Sequence, residues 1–146
     1  CLSMYLIVIN SVGTKSNEFF VVKISFKVNI SKIKKNKDIF IHVNGELLPR
    51  SQAKVSVFDS IVQNGDGVWE GLRLHNGQWT FIDEHLDRLF EAARAIDLDI
   101  GLDREAVEKA LVQVQQANSM HTDAHARLMV TRGVKTRPFQ HPSLSQ

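Results

Sequence analysis

The sequence predicts an α+β domain in which two helices pack on one face of an antiparallel sheet. Two Asn-Gly dipeptides, Asn44-Gly45 and Asn76-Gly77, lie between strand-like segments and favour tight hairpin turns. Two segments with a helical period of 3.6 residues follow the second hairpin, and one more strand-like segment follows them. Hairpins followed by two helices and a returning strand are typical of helices that cover one face of an antiparallel sheet.

The strands are short, and turn residues separate several of them. In chain order, strands are expected at Ile39–Val43, Glu46–Leu48, Val55–Phe58, Gly67–His75, Gln78–Ile82 and Arg127–Thr131. Pro49 ends the second strand, because proline lacks the N–H group that a ladder needs. The residues from Gly133 to Gln146 are expected to form a loop.

Each helix is expected to begin at an aspartate whose side-chain oxygen caps the first turn. Asp83 precedes the first helix and Asp103 the second. The apolar faces are Leu86, Leu89, Phe90, Ala93 and Ile96 in the first helix, and Val107, Ala110, Leu111, Val114 and Ala117 in the second. Faces with this spacing are expected to pack on the sheet.

Charge divides the chain into a basic start and an acidic remainder. Residues 1–37 hold seven lysines and one acid, whereas residues 38–146 hold eleven basic and fifteen acidic side chains. We therefore expect a basic extension over residues 1–38 and a domain over residues 39–146. The extension is either an arm for anionic partners or translated non-coding sequence, and the start on Cys1 favours the second. Within it, Lys23–Ile30 alternates apolar and polar residues and predicts an edge strand.

Composition excludes several classes of protein. The length of 146 residues suits one domain, and 43% hydrophobic residues are typical of a folded chain. The single cysteine excludes an internal disulfide. The sequence lacks the run of about 18 apolar residues that a membrane helix needs, so we expect a cytoplasmic protein that does not enter the membrane.

A glycine-rich bend precedes the longest predicted strand. Gly65, Gly67 and Gly71 have the spacing G-x-G-x-x-x-G, one residue too long for a dinucleotide-binding loop, and a strand follows where that loop needs a helix. The glycines are therefore expected to permit a tight bend. Gly71 interrupts a strand pattern, which often marks close approach by a ligand or by another backbone.

Three arginines are candidates for binding an anion. Arg88 lies at the rim of the first helix's apolar face, where it forms either a surface pair with Glu84 or a seat for a phosphate. Arg127 and Arg132 are five residues apart and face opposite sides of an extended strand. An inward-facing arginine there needs an anion, which is either a substrate carboxylate or an acid of the chain itself.

The histidines and tryptophans give weaker indications. His121 and His125 have the spacing of a zinc-binding helix, but HTDAH lacks the glutamate of that motif and lies where the second helix ends. We expect both to be exposed turn residues and expect no metal site. Trp69 and Trp79 are expected in the core, with Trp69 as an alternative wall for a pocket.

Three segments together resemble one enzyme family. They are VNGELLPRSQAKVSVFDSIVQNGDGVWEGLRLHNGQ, DEHLDRLFEAARAIDLDI and RLMVTRG. They resemble the N-terminal domain of class IV (fold-type IV) pyridoxal-phosphate aminotransferases, a family that includes branched-chain and D-amino-acid aminotransferases and aminodeoxychorismate lyase. The resemblance covers about residues 39–146. It implies pyridoxal phosphate as cofactor, amino acid and 2-oxo acid substrates, and a homodimer.

The resemblance implies roles for five residues. Arg88 in EHLDRL matches the arginine that binds the cofactor phosphate, in place of the surface pair. Trp69 and Gly71 in GVWEG match the walls of the substrate pocket. Arg127 matches the arginine that receives the distal carboxylate of glutamate in branched-chain enzymes. Arg137 matches an arginine that D-amino-acid enzymes use on the substrate carboxylate.

Two positions depart from the patterns of individual members. Phe139 stands where D-amino-acid enzymes have a histidine, which weakens that assignment. Asn64 stands where branched-chain enzymes usually have a pocket tyrosine, which affects the fine specificity. The resemblance therefore favours a branched-chain aminotransferase that uses 2-oxoglutarate, with D-amino-acid aminotransferase and aminodeoxychorismate lyase as alternatives.

The resemblance also implies that part of the active site is missing. The Schiff-base lysine of the family lies in a second domain beyond the end of this chain, and Lys54, Lys109 and Lys135 match no such position. The chain alone is therefore expected to be inactive. A non-catalytic binding domain, with the basic arm on nucleic acid, is a further alternative. We disfavour it, because the acidic body would repel phosphates.

Overall fold

The computed structural model describes residues 3–10 and 36–135 and has the predicted α+β class. Strands β1 to β6 are Ser3–Asn10, Phe40–Val43, Glu46–Pro49, Gly67–His75, Gln78–Trp79 and Ala124–Thr131. Helices α1 to α3 are Ser60–Asn64, Ile82–Ala95 and Arg104–Ala117. The predicted strand Lys23–Ile30 and the loop after residue 135 lie outside the described residues.

The strands form one six-stranded sheet in the order β3-β2-β1-β6-β4-β5. Three pairs are antiparallel, as predicted: β2 with β3, β4 with β5, and β4 with β6. Strand β1, which the sequence did not predict, comes from the basic extension and lies parallel to both β2 and β6. The longest antiparallel pairing aligns β4 with β6 from Gly67 opposite Thr131 to Leu74 opposite Ala124.

The two long helices cover one face of the sheet and enclose the main core. Alternate residues of β4 and β6 point toward them, because successive side chains of a strand face opposite ways. The buried members of this core include Val68, Leu72, Leu74, Leu86, Leu89, Ala93, Val107, Leu111, Val114, Ala124, Ala126, Leu128 and Val130. Burial of these side chains is the main force that fixes both helices on the sheet.

A smaller apolar cluster lies on the other face. Val43 of β2 and Met129 of β6 are buried there, packed against the partly buried Leu48 of β3, Val55 and Ile61 of α1. Helix α1 and the segment around Val55 therefore cover only one end of this face. The part near β4 stays open.

Three local predictions were wrong or incomplete. Val55–Phe58 is not a strand; the chain instead turns into α1, which begins after Asp59 and ends at Gly65 with φ of 69°. Strand β5 ends at Trp79, three residues earlier than expected. Helix α2 has Phe81 as its N-cap, with φ of 53° and no side-chain hydrogen bond. Asp83 thus lies inside the first turn.

The second predicted cap is confirmed. Asp103 accepts a hydrogen bond from the N–H group of Ala106 at 2.8 Å and so caps α3. Among the helices in the described ranges, none combines the length and the apolar character that crossing a membrane requires.

Candidate active site

The first half of β4 has one open face and an open outer edge, whereas its other face is buried under the helices. Trp69 and Gly71 point away from the helices, whereas Val68 and Glu70 point toward them. Strand β5 pairs only with Leu74 and His75 at the end of β4. From Gly67 to Leu72, the outer edge of β4 therefore has no strand partner within the described residues. A ligand at this edge can reach side chains of both faces.

Trp69, Gly71 and Arg127 meet on the face of the sheet away from the helices. Arg127 lies opposite Gly71 in the pairing of β6 with β4. Its guanidinium carbon lies 3.8 Å from the centre of the Trp69 ring, a cation–π contact. Trp69 is 54% exposed, so its predicted place in the core is wrong.

Arg127 is not fully satisfied by the chain. Its Nε is buried and has no hydrogen-bond partner among the described residues. Burial lowers the pKa of Arg127 from its ordinary value, because a charged guanidinium is less stable away from water. A buried donor without a partner is costly, and a bound anion would supply the missing acceptor.

His125 is the residue that approaches Gly71. A Cβ atom added at Gly71 would lie 3.1 Å from both Cε1 and Nε2 of the His125 ring. The close contact is thus with a side chain and not with another backbone. His125 belongs to β6 and is half-buried, so its predicted place in an exposed turn is wrong. Burial and the positive charges of Arg127 and Arg73 lower its pKa.

Arg88 pairs with Glu70 on the helix side of β4. Its Nε donates to Oε1 of Glu70 at 3.0 Å and its Nη2 to Oε2 at 2.9 Å. His85 Nδ1 lies 2.6 Å from the same Oε2. The hydrogen-bond partner of Arg88 is therefore Glu70 and not Glu84, the partner in the alternative of a surface pair. Arg88 and Trp69 therefore lie on opposite faces of the sheet. The open edge of β4 separates them.

The charges of this group stabilise one another. The Glu70 side chain is 11% exposed and that of Arg88 is 57% exposed. Burial alone would raise the pKa of Glu70, but the hydrogen bonds and charges of Arg88 and His85 prevail and lower it. Glu70 raises the pKa of Arg88 in return. The sequence analysis missed Glu70 and His85. The alternation along β4 could have indicated Glu70, because it places this carboxylate on the buried face, between Val68 and Leu72.

Arg132 has a different partner. Its Nε donates to the carboxylate of Asp66 at 3.1 and 3.2 Å, and its Nη atoms donate to the carbonyl oxygens of Ile96 and Asp97 at 2.7 Å. The buried side chain of Lys135 places Nζ 3.3 Å from the same carboxylate. Of the two alternatives for an inward arginine on this strand, Arg132 uses an acid of the chain. The pair ties the glycine-rich bend to the end of α2.

Asp59 braces α1 against the end of β6. Its carboxyl group is fully buried and accepts hydrogen bonds from the Ile61 N–H at 2.8 Å, the Ser60 hydroxyl at 3.4 Å and the Thr131 hydroxyl at 3.3 Å. Burial raises the pKa of Asp59 to about 7, against the effect of these donors. The bend that leads into β4 is thereby fixed from both sides.

The remaining candidates add no contacts to the site. Arg137 lies outside the described residues. His121 is exposed, and its ring packs against Gly77 in the β4–β5 turn. No group of three metal-ligating side chains occurs in the described part of the chain.

Comparison with known proteins identifies the family. The family model described as Amino-transferase class IV matches residues 67–145. The chain is 43% identical over 114 residues to branched-chain-amino-acid aminotransferase-like protein 1 of Arabidopsis thaliana, covering 78% of this chain and 20% of that protein. It is 40% identical over 99 residues to D-alanine aminotransferase of Listeria monocytogenes, covering 68% of this chain and 34% of that protein.

The solved structures agree with the sequence matches. The branched-chain aminotransferase of Thermoproteus uzoniensis, crystallised with norvaline, superposes with a TM-score of 0.60 and 28% identity, over 71% of this chain and 35% of that chain. The chain thus spans about a fifth to a third of the length of these relatives. On the match over residues 67–145 and the shared fold, this chain belongs to the class IV aminotransferase family.

Proposed function

We propose that this chain is the N-terminal, substrate-pocket part of a pyridoxal-phosphate aminotransferase that transfers the amino group of branched-chain amino acids to 2-oxoglutarate. Arg88 binds the cofactor phosphate on the helix side of β4. Trp69, Gly71 and Arg127 form the substrate side on the other face. Family membership and the similarity to a branched-chain aminotransferase-like protein support this assignment.

The observation that carries the proposal is the unsatisfied guanidinium of Arg127. It lies over the Trp69 ring and across from Gly71, and its Nε is buried without a partner among the described residues. A planar guanidinium binds carboxylates through paired hydrogen bonds. The distal carboxylate of glutamate or 2-oxoglutarate is such a ligand. The exposed ring of Trp69 offers the apolar surface that an aliphatic side chain needs.

Arg88 fits the cofactor phosphate. Glu70 engages Nε and Nη2, while Nη1 makes no hydrogen bond to the described residues and the side chain is 57% exposed. A second anion can therefore bind to the same arginine from outside. When bound, pyridoxal phosphate serves as the electron sink for amino transfer. The chain supplies the phosphate anchor and the pocket wall.

We propose that the lysine of this chemistry, and the acid that pairs with the pyridine nitrogen, lie in a domain that continues past Gln146. Lys135 is engaged with Asp66, and Lys54 and Lys109 are exposed and distant in sequence from the pocket residues. The 146-residue chain alone would then be inactive. The extended protein is expected to act as a cytoplasmic homodimer.

Substitution of Arg127 tests the substrate assignment in the protein extended past Gln146. Arg127→Met keeps the length of the side chain but removes the charge. We expect KM for 2-oxoglutarate to rise by about 10- to 100-fold, the range for loss of a hydrogen bond to a charged group. KM for 4-methyl-2-oxopentanoate, which has no distal carboxylate, should change by less than about threefold in the same assay.

The matched control is Arg73→Met, an exposed arginine on the same face of β4 that pairs at 3.9 Å with Asp123. This variant should leave both KM values unchanged. Equal losses with both oxo acids in Arg127→Met would count against a carboxylate seat, since a collapsed pocket would affect the two substrates alike.

Transfer from D-amino acids is the second candidate, favoured by the 40% identity to a D-alanine aminotransferase. The two functions differ in the configuration, D or L, of the amino acid that donates the amino group. Faster transfer from D-alanine than from L-leucine in the extended protein would replace the branched-chain assignment. Release of pyruvate from aminodeoxychorismate without amino transfer would point to the lyase of the same family.

A further inference from the structure

Glu70, His85 and Arg88 form a small hydrogen-bond network. The guanidinium of arginine presents two edges to its surroundings. Glu70 occupies the edge formed by Nε and Nη2, with distances of 3.0 and 2.9 Å to its two carboxylate oxygens. The second edge, formed by Nη1 and Nη2, points away from this carboxylate by the planar geometry of the group. Glu70 thus holds Arg88 without occupying all of its donors.

His85 supports Glu70 as a hydrogen-bond donor. Its Nδ1 lies 2.6 Å from Oε2 of Glu70, a distance typical of a proton shared with an ionised acceptor. Nη2 of Arg88 lies 2.8 Å from the same Nδ1 and 2.9 Å from Oε2. Because arginine has only donors, Nδ1–H and Nη2–H both point at Oε2, and the contact between the two nitrogens is not itself a hydrogen bond. The ring therefore carries its proton on Nδ1.

Glu70, itself held by His85, restricts the Arg88 side chain, which would otherwise be mobile. Arginine has several rotatable bonds, and Arg88 is 57% exposed, whereas Glu70 and His85 are 11% and 19% exposed. Ordering such a side chain on binding has an entropic cost, which is avoided when the folded chain already fixes it. The charge of Glu70 is compensated by its two partners, which limits its repulsion of a second anion.

We propose that Glu70, supported by His85, is a positioning residue for the cofactor phosphate, holding Arg88 so that its Nη1–Nη2 edge faces the bound phosphate. This inference depends on the proposed role of Arg88 as the phosphate anchor. It assigns Glu70 no contact with the cofactor. Glu70 affects cofactor binding only through Arg88. An experiment can therefore distinguish positioning of Arg88 from direct contact with the cofactor.

The test measures cofactor affinity in the protein extended past Gln146 by fluorescence titration with pyridoxal phosphate and, in parallel, with pyridoxal. Glu70→Gln keeps the shape of the side chain and removes its charge. We expect it to weaken pyridoxal phosphate binding by about 3- to 10-fold and to leave pyridoxal binding unchanged. Arg88→Gln is expected to weaken pyridoxal phosphate binding further, again without an effect on pyridoxal.

The double variant Glu70→Gln with Arg88→Gln separates positioning from a general loss of structure. If Glu70 acts only through Arg88, the double variant binds pyridoxal phosphate as weakly as Arg88→Gln alone. Glu105→Gln is the control, because Glu105 is an exposed acid of α3 without a hydrogen bond or ion pair to Arg88; the affinity of this variant should equal that of the original protein. Melting temperatures establish that each variant is folded.

Each outcome of the titrations supports or overturns one part of the proposal. Unchanged or tighter binding in Glu70→Gln overturns the positioning role while leaving Arg88 as the anchor. Unchanged binding in Arg88→Gln overturns the proposed phosphate site itself. A loss in Glu70→Gln that is equal for pyridoxal, or that adds fully to the loss in Arg88→Gln, shows that Glu70 acts on the fold and not through Arg88.

Discussion

Two arginines near the end of β6 illustrate how the partner of a side chain determines its role. Arg132 donates to Asp66 and to two carbonyl oxygens at the end of α2, so every part of its guanidinium is used within the fold. Arg127 lies on Trp69 and keeps a buried Nε without a partner among the described residues. At this scale, an unfilled donor distinguishes a candidate binding residue from a structural one of the same type.

Asp59 gives a prediction for stability at the residue scale. Its pKa is raised from an ordinary value of 3.8 to about 7, so the folded chain keeps its proton at pH values where the unfolded chain has lost it. The free energy of unfolding should therefore fall as the pH rises from about 4 to about 7, by at most about 4 kcal/mol from this group. Asp59→Asn removes this titration and keeps the acceptor oxygen for the Ile61 N–H.

Urea unfolding of the 146-residue chain at several pH values from 4 to 8 measures this effect. The difference between the original chain and Asp59→Asn should change with pH in that window. Asp38→Asn, at an exposed aspartate, provides the control and should run parallel to the original chain. Parallel curves for Asp59→Asn as well would show that this carboxyl group titrates normally in the fold.

Two glycines of β4 differ in what surrounds them. A Cβ atom added at Gly67 would lie 2.6 Å from the carbonyl oxygen of Val130, a fixed backbone atom of β6. At Gly71 the nearest atoms belong to the ring of His125, at 3.1 Å. The first contact would force the β4–β6 ladder apart, whereas the second requires only a small movement of a side chain.

Alanine substitutions at these positions should therefore have unequal effects. We expect Gly67→Ala to destabilise the chain by about 3 kcal/mol and Gly71→Ala by about 1 kcal/mol or less. Thermal and urea unfolding of the two variants measure this difference directly. In the extended protein, Gly71→Ala should nevertheless raise KM for the amino donor, since the added methyl group lies on the substrate face. Equal destabilisation by both substitutions would contradict the contacts at Gly67.

The elements with strong local signals were predictable. Strand β4 has the expected bounds because a glycine bend precedes it and an Asn-Gly turn follows it, and Asp103 caps α3 as expected. Helix α1 was missed because its five residues are too short for a helical period, and a strand was instead expected just before it, at Val55–Phe58. The start of α2 was misplaced because Phe81 adopts a left-handed backbone, which sequence alone rarely indicates.

The site was predictable only in part, for a similar reason. The candidates Trp69, Gly71 and Arg127 come together because β4 and β6 pair in register, which their alternation allows. The link between Glu70, His85 and Arg88 joins a strand to a helix 15 to 18 residues away. Contacts of that kind depend on the angle between packed elements, which no local pattern specifies.

On the scale of the whole molecule, the described fold leaves much apolar surface uncovered near the start of β4. Phe58 and Trp69 are 62% and 54% exposed, and Val57 and Val62 are exposed as well. Exposed apolar surface of this kind is a candidate site for contact with another protein surface. We expect the domain that we propose beyond Gln146 to cover these side chains.

Tryptophan fluorescence can test whether extension of the chain past Gln146 buries Trp69. Trp69 is exposed in the 146-residue chain, whereas Trp79 packs partly buried against the core. Extension of the chain past Gln146 should shift the emission of Trp69 to shorter wavelength and reduce its quenching by acrylamide severalfold. A Trp79→Phe background isolates the signal of Trp69. Emission that stays unchanged on extension would mean that this face remains open to water in the longer protein.

Strand alternation has one further consequence for how this fold can vary. Glu70 and Trp69 are neighbours in the chain, yet they serve opposite surfaces of the sheet. Inserting or deleting a single residue between the bend and Trp69 would exchange the two surfaces, directing the acid toward Arg127 and the indole toward Arg88. Length changes in the five residues that follow Gly65 should therefore be far more harmful than most substitutions there, and homologous chains are expected to keep that spacing fixed.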